Sequence, residues 1–108
     1  MTTVTIYNDK TGTHKGFVVK GHSGYSRSGR DIVCSAVSIL TTNTINSIEK
    51  YAEDPISYDT NEKGTFIRLE IKENTSHDAQ LLIDSMILGL SHLAKAYPKN
   101  VRLMIEEV

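Results

Sequence analysis

The chain has 108 residues, of which 39% are hydrophobic and 23% are charged, and its formal net charge is −1. This length predicts a single domain over residues 1–108, because a chain of this size has no room for a second hydrophobic core. No two Lys or Arg residues are adjacent, and the charge balance excludes the basic surface expected of a nucleic-acid-binding protein. The single cysteine, Cys34, excludes an intramolecular disulfide and suits a reducing compartment.

The N-terminal segment has the pattern of a strand rather than of a targeting sequence. No basic region is followed there by an apolar run, and no stretch of the chain approaches the roughly 20 apolar residues of a membrane helix. We therefore expect a cytoplasmic protein. Val4 and Ile6 alternate with polar neighbours, which predicts a strand over residues 2–7. A turn cluster at 8–12 and a second apolar run at 14–21 complete a predicted hairpin.

Two long helices are predicted from apolar residues that recur every three or four positions. The first covers residues 29–52, with Ser28 and Asp31 at capping-box spacing at its start. The second covers 76–97 and begins at a capping box of Thr75 and Asp78. The predicted buried stripes are Val33, Val37, Leu40, Thr44, Ile48 and Tyr51 on the first helix, and Ala79, Leu82, Ile83, Met86, Leu90 and Leu93 on the second.

The remaining segments alternate in the manner of strands. Residues 56–58 and 66–71 flank a predicted hairpin turn at 59–64, and residues 101–105 form a last strand. The resulting order ββαββαβ predicts an α+β domain of two layers, a mainly antiparallel sheet with two helices on one face. The second helix carries more apolar residues than one stripe needs, which predicts a further contact such as a dimer partner. These additional residues are Leu81, Ile87, Leu88 and Ala94.

Cys34 and His22 have the chemistry of a thiol hydrolase. Cys34 falls in the first two turns of the first helix, where backbone N–H groups and the helix dipole stabilise a thiolate. It lies about a quarter of a turn from the apolar stripe, with Asp31 and Ser38 as its neighbours along the helix. His22 ends a strand just before a glycine-rich loop, and a histidine beside a thiol can accept its proton and later protonate a leaving amine. Asp31 either orients His22 or caps the helix.

The other histidines, His14, His77 and His92, fit structural or solvated roles. None has metal-ligand spacing to Cys34, so we expect no zinc site.

Residues 21–40, GHSGYSRSGRDIVCSAVSIL, resemble the signature of the ribosomal-processing cysteine protease family, often called Prp. Family members carry Gly-His-Ala-Gly-Tyr-Ala, a short spacer, and Gly-x-Asp-Ile-Val-Cys-Ala-Ala-Val-Ser. The departures are Ser23, Ser26 and Ser35, small residues where alanine is common. The resemblance implies His22 and Cys34 as catalytic residues. The other positions of the motif, Gly21, Asp31 and Ser38, are candidate supporting residues, and Ser38 either hydrogen-bonds near the thiolate or bonds back into its own helix. The candidate substrate loop either contacts the peptide or is an ordinary surface loop, and it consists of Ser23, Gly24, Tyr25, Ser26, Arg27, Ser28 and Gly29.

The resemblance further implies a specific activity. Prp proteases remove a short N-terminal extension from bacterial large-subunit ribosomal protein twenty-seven, and they cut after an aromatic pair. It implies no cofactor and a homodimer. From the residues themselves, two alternatives remain open: a noncatalytic ribosome-assembly or protein-binding module with a structural cysteine, and another cysteine hydrolase such as a small thioesterase.

Overall fold

The computed structural model describes residues 1–21, 29–61 and 66–108, with the side chains of the middle range described from residue 32 onward. The predicted order ββαββαβ is confirmed, and the helix ends lie within one residue of their predicted positions. The elements are β1 (Thr2–Asn8), β2 (His14–Lys20), α1 (Gly29–Tyr51), β3 (Ile56–Thr60), β4 (Ile67–Ile71), α2 (His77–Ala96) and β5 (Val101–Glu107). In these ranges neither helix is long and apolar enough to cross a membrane.

The five strands form one mixed sheet in the order β3-β4-β2-β1-β5. Strand β5 runs parallel to β1, and every other neighbouring pair is antiparallel. The predicted α+β class with a mainly antiparallel sheet is therefore confirmed. Residues of β1 and β2 that face each other point to the same side of the sheet, and the pairs Val4–Val19 and Ile6–Phe17 are fully buried.

The core lies between this sheet face and the two helices. Strand β4 contributes Ile67, Leu69 and Ile71, which alternate as the sequence predicts. The helices pack on each other where Gly89 leaves room for the Leu40 side chain, whose carbon atoms would lie 3.2–3.9 Å from a Cβ at position 89. The buried apolar residues of the helices are Val33, Val37, Ile45 and Ile48 of α1, and Ala79, Ile83, Met86 and Leu90 of α2.

The buried side of α1 is rotated relative to the predicted stripe. Tyr51 was predicted to be buried, but it is 67% exposed because α1 ends there, and the Lys50 ammonium lies 5.7 Å from its ring. Thr41 and Ile45, outside the predicted stripe, are buried instead. Thr41 tolerates burial because its hydroxyl donates to the Val37 carbonyl at 2.8 Å. This rotation brings the side that contains Cys34, seven residues before Thr41, toward the sheet.

The start of α2 differs from its predicted capping box. Ser76 is the N-cap, and its hydroxyl accepts from the Ala79 N–H at 3.1 Å. The hydroxyl of Thr75 donates instead to the His14 carbonyl, 2.7 Å away. The Thr75–Asp78 prediction was therefore wrong by one residue, because Thr75 ties α2 to strand β2 rather than capping the helix.

His14 has the structural role that the sequence predicts. Its ring is buried, with Nδ1 2.6 Å from the Asn8 amide oxygen and Nε2 2.6 Å from a carboxylate oxygen of Asp84. It therefore joins the β1–β2 hairpin to α2. His77 and His92 lie at the surface, as expected of solvated side chains.

Candidate functional site

The Cys34 thiol lies above the beginning of strand β1. Cys34 is the sixth residue of α1, and its side chain is half-buried. Its sulfur is 3.9 Å from the hydroxyl oxygen of Thr2, the first residue of β1. Thr2 is only 2% exposed, so this contact closes the inner side of the thiol. Cys34 as a whole residue is partly exposed, and it lies at the end of the sheet where β1 begins.

The position of Cys34 in α1 limits what the helix itself can do for a thiolate. The unpaired N–H groups of an α-helix belong to its first four residues, here 29–32. The helix dipole also weakens beyond the first turn. Cys34 lies in the second turn, so side chains around the sulfur matter more for its reactivity than the sequence position alone indicates.

The end of strand β2 meets the chain's first residue at the same end of the sheet. Lys20 pairs with Thr3, and Gly21 follows with a φ of 76°, a left-handed conformation that favours glycine. A Cβ at position 21 would lie 2.6 Å from the carbonyl oxygen of Met1. The residue before His22 therefore packs against the residue before Thr2.

Some of the predicted site residues lie within the described parts of the chain, and others lie outside them. His22 and the loop residues 23–28 lie outside the described residues, as does the side chain of Asp31. Gly29 is the first residue of α1, and Ser38 is half-buried one turn after Cys34. The structure thus brings Gly21 and Cys34 to one end of the sheet.

Sequence reasoning missed Thr2 at this site. The available signal was alternation, because Thr2 precedes Val4 and Ile6 at the spacing that places all three on one strand face.

Other parts of the described chain offer no comparable chemistry. Across 1–21, 32–61 and 66–108, no three His, Cys, Asp or Glu side chains cluster in a way that could hold a metal ion. A hollow of about 470 Å³ lies on the sheet face that the helices leave uncovered, between Tyr7, Val18 and Arg68. That face is opposite to the one that Cys34 contacts, so the hollow is separate from the thiol site.

Comparison with known proteins defines the class of this thiol-bearing α+β domain. The family model described as Cysteine protease Prp matches residues 1–102. The chain therefore belongs to the Prp family of cysteine proteases. It is 28% identical over 105 residues to the ribosomal processing cysteine protease Prp of Staphylococcus aureus, covering 95% of this chain and 97% of that protein. It is 29% identical over 91 residues to the Prp of Bacillus subtilis, covering 81% of each chain.

Solved structures share the fold over almost the whole chain. A crystal structure of S. aureus Prp with a substrate peptide superposes with a TM-score of 0.90 at 23% identity, covering 98% of this chain and all of that one. A second S. aureus structure, with a covalently linked product peptide, has a TM-score of 0.89 at 24% identity and the same coverage. SMU.848 from Streptococcus mutans has a TM-score of 0.89 at 30% identity, covering 100% of this chain and 96% of its own.

Proposed function

We propose that this cysteine protease removes the short N-terminal extension of bacterial large-subunit ribosomal protein twenty-seven, cutting after an aromatic pair, with Cys34 as nucleophile and His22 as its proton-transfer partner. The observation that carries the proposal is the half-buried Cys34, whose sulfur contacts Thr2 at the end of the sheet where β2 also ends. The relatives named ribosomal processing proteases support the substrate class. The ribosomal role also favours the cytoplasm as the place of action.

The chain path supports the pairing of His22 with Cys34. Gly21 packs on Met1, and the neighbouring Thr2 contacts the thiol. Consecutive α-carbons are about 3.8 Å apart, and His22 is the second residue after Lys20, where β2 ends beside the site. The short connection in sequence between β2 and His22 supports the proposed pairing with Cys34.

The proposed reaction proceeds through a thioester. His22 takes the Cys34 thiol proton, and the thiolate attacks the carbonyl carbon of the second residue of the aromatic pair. The C–N bond then breaks, and the proton on His22 passes to the leaving amine. A water molecule gives its proton to His22 and attacks the thioester, which releases the carboxylic acid and restores the thiol. No cofactor takes part in these steps.

The supporting residues have proposed roles in the same reaction. The loop from Ser23 to Gly29 contacts the peptide, and Asp31 orients His22 or caps α1. Ser38, one helical turn beyond Cys34, supports the nucleophile from its own helix.

We also propose that the protein acts as a homodimer through the outer side of its helices. Large apolar side chains recur there seven residues apart, with exposed fractions of 57–70%. They are Ile32 and Ile39 of α1, and Leu81 and Leu88 of α2. Ile39 and Leu88 are the sequence neighbours of Leu40 and Gly89, which face each other where the two helices pack. Exposed apolar patches commonly mark a protein interface.

Mass spectrometry of a cleavage reaction tests the proposed substrate. A peptide that carries the extension and the first mature residues is incubated with the protein, beside a matched peptide whose aromatic pair is replaced by two alanines. We expect one cut after the aromatic pair and little cleavage of the alanine peptide. Equal cleavage of both peptides would contradict the proposed specificity, and preferential hydrolysis of a small thioester would favour the thioesterase alternative.

A further inference from the structure

The Thr2 hydroxyl is the feature at the Cys34 site that the packing of the core does not explain. Val4 and Ile6, the next residues on the same face of β1, are fully buried aliphatic side chains. Thr2 is equally inaccessible, and a buried hydroxyl without a partner is costly. Among the described residues no buried side-chain oxygen or nitrogen lacks a partner. Within the described parts of the chain, the Thr2 hydroxyl has the Cys34 sulfur as its partner at 3.9 Å.

The backbone of Thr2 is held in place by a hydrogen bond to Asn100 and by pairing with strand β5. Its N–H donates to the Asn100 carbonyl at 2.8 Å, and Thr2 pairs with Val101 in the parallel ladder between β1 and β5. A β-branched side chain also has few χ1 rotamers available to it. The hydroxyl oxygen is therefore fixed by the sheet, whereas the thiol is placed by the helix.

We propose that Thr2 is a positioning residue for Cys34, whose hydroxyl donates to the sulfur and holds it in place as a thiolate. This inference rests on the proposed role of Cys34 as nucleophile. A thiolate is an acceptor only, and hydrogen bonds to charged acceptors are stronger than those between neutral groups. The N–H groups of α1 that have no partner within the helix belong to its first four residues, before Cys34. A hydrogen bond from the Thr2 hydroxyl, which is held by the sheet, adds to the stabilisation of the thiolate by the helix.

Three variants separate the hydroxyl from the shape of the side chain. Thr2→Val removes the hydroxyl and keeps the branched shape, and Thr2→Ser keeps the hydroxyl and removes the methyl group. Thr44→Val is the matched control, because Thr44 is 5% exposed and its hydroxyl donates within α1 to the Leu40 carbonyl at 2.7 Å. Circular dichroism establishes that each variant is folded, and Thr2→Ala replaces Thr2→Val if the valine variant does not fold.

The readout is the rate at which iodoacetamide alkylates the protein, followed by intact mass as a function of pH. Cys34 is the sole cysteine, so every added carbamidomethyl group reports this thiol. We expect Thr2→Val to slow alkylation at neutral pH by about three- to tenfold, and to move the rising part of the pH profile to higher pH. Thr2→Ser and Thr44→Val should stay within about twofold of the unmodified protein.

If Thr2→Val only loosened the packing, the thiol would become more exposed and alkylation would be faster, which is the opposite of the expected change. A folded Thr2→Val or Thr2→Ala variant that reacts as fast as the unmodified protein would overturn the inference. So would a Thr2→Ser variant as slow as Thr2→Val. The alkylation assay contains no peptide, so its result does not depend on the proposed protease substrate. If a Cys34→Ala protein still cleaved, the proposed function would be refuted, but the alkylation rates of the Thr2 variants would be unaffected.

Discussion

Replacing Gly21 by alanine tests whether the end of β2 positions the site. Gly21 has a φ of 76°, and Gly12, in the β1–β2 turn, has a φ of 85°. Both positions therefore impose the same kind of backbone strain on an alanine, about 1–2 kcal/mol. They differ in their surroundings. A Cβ at position 12 would meet no heavy atom within 4 Å, whereas one at position 21 would meet the Met1 carbonyl oxygen at 2.6 Å.

The size of the expected effect follows from that contact. Ordinary van der Waals contact of a Cβ begins at 3.4 Å, so the 2.6 Å separation must grow by about 0.8 Å. The movement falls on Met1 or on Gly21, which directly precede Thr2 and His22. A misplacement of about 1 Å in a catalytic site can cost on the order of 10²-fold in rate. We expect Gly21→Ala to lower the rate of peptide cleavage by about tenfold or more.

The assay compares the two alanine variants in peptide cleavage and in urea unfolding. Gly12→Ala should lose about 1–2 kcal/mol of unfolding free energy and keep a cleavage rate close to that of the unmodified protein. Gly21→Ala should lose at least as much stability and most of its activity. If Gly21→Ala cleaves as fast as Gly12→Ala, the end of β2 does not set the geometry of the site.

Three other expectations follow from the structure. The Thr11 hydroxyl and N–H donate to Asp9 and lower the pKa of its carboxyl below 3.8. Asp9→Ala should therefore be less stable than the unmodified protein at neutral pH, with a difference in urea unfolding that shrinks as the pH falls through the lowered pKa. Gly89→Ala should change the unfolding free energy by less than about 1 kcal/mol, because the gain in helix propensity offsets a contact with the flexible end of Leu40. Leu88→Lys should shift sedimentation toward the monomer while the protein stays folded, and an unchanged mass would exclude this surface as the interface.

Local patterns predicted the elements because local chemistry determines them. The alternation of Ile67, Leu69 and Ile71 with polar residues predicted the buried face of β4, and the period of α2 predicted Ile83 and Met86 in its core. These hydrophobic patterns involve residues that are close together in sequence. They arise whenever one face of a strand or helix is buried.

The structural features that the sequence did not predict depend on contacts between elements that are far apart in the sequence. The contact of Thr2 with Cys34 joins residues 32 positions apart, and no local pattern reports it. The N-cap of α2 moved to Ser76 because Thr75 bonds to the carbonyl of His14 across 61 positions. The rotation of α1 that buries Thr41 likewise follows from packing against the sheet rather than from the helix's own sequence.

The most direct test of the central claim is intact mass spectrometry of the protein and its substrate in the same reaction. The unmodified protein and Cys34→Ala, confirmed as folded, are each mixed with ribosomal protein twenty-seven that carries its extension. We expect that the unmodified protein removes the extension at one bond, that rapid acid quenching traps the extension as a thioester on Cys34, and that Cys34→Ala leaves the substrate intact. Cleavage by folded Cys34→Ala at the normal rate would contradict this expectation.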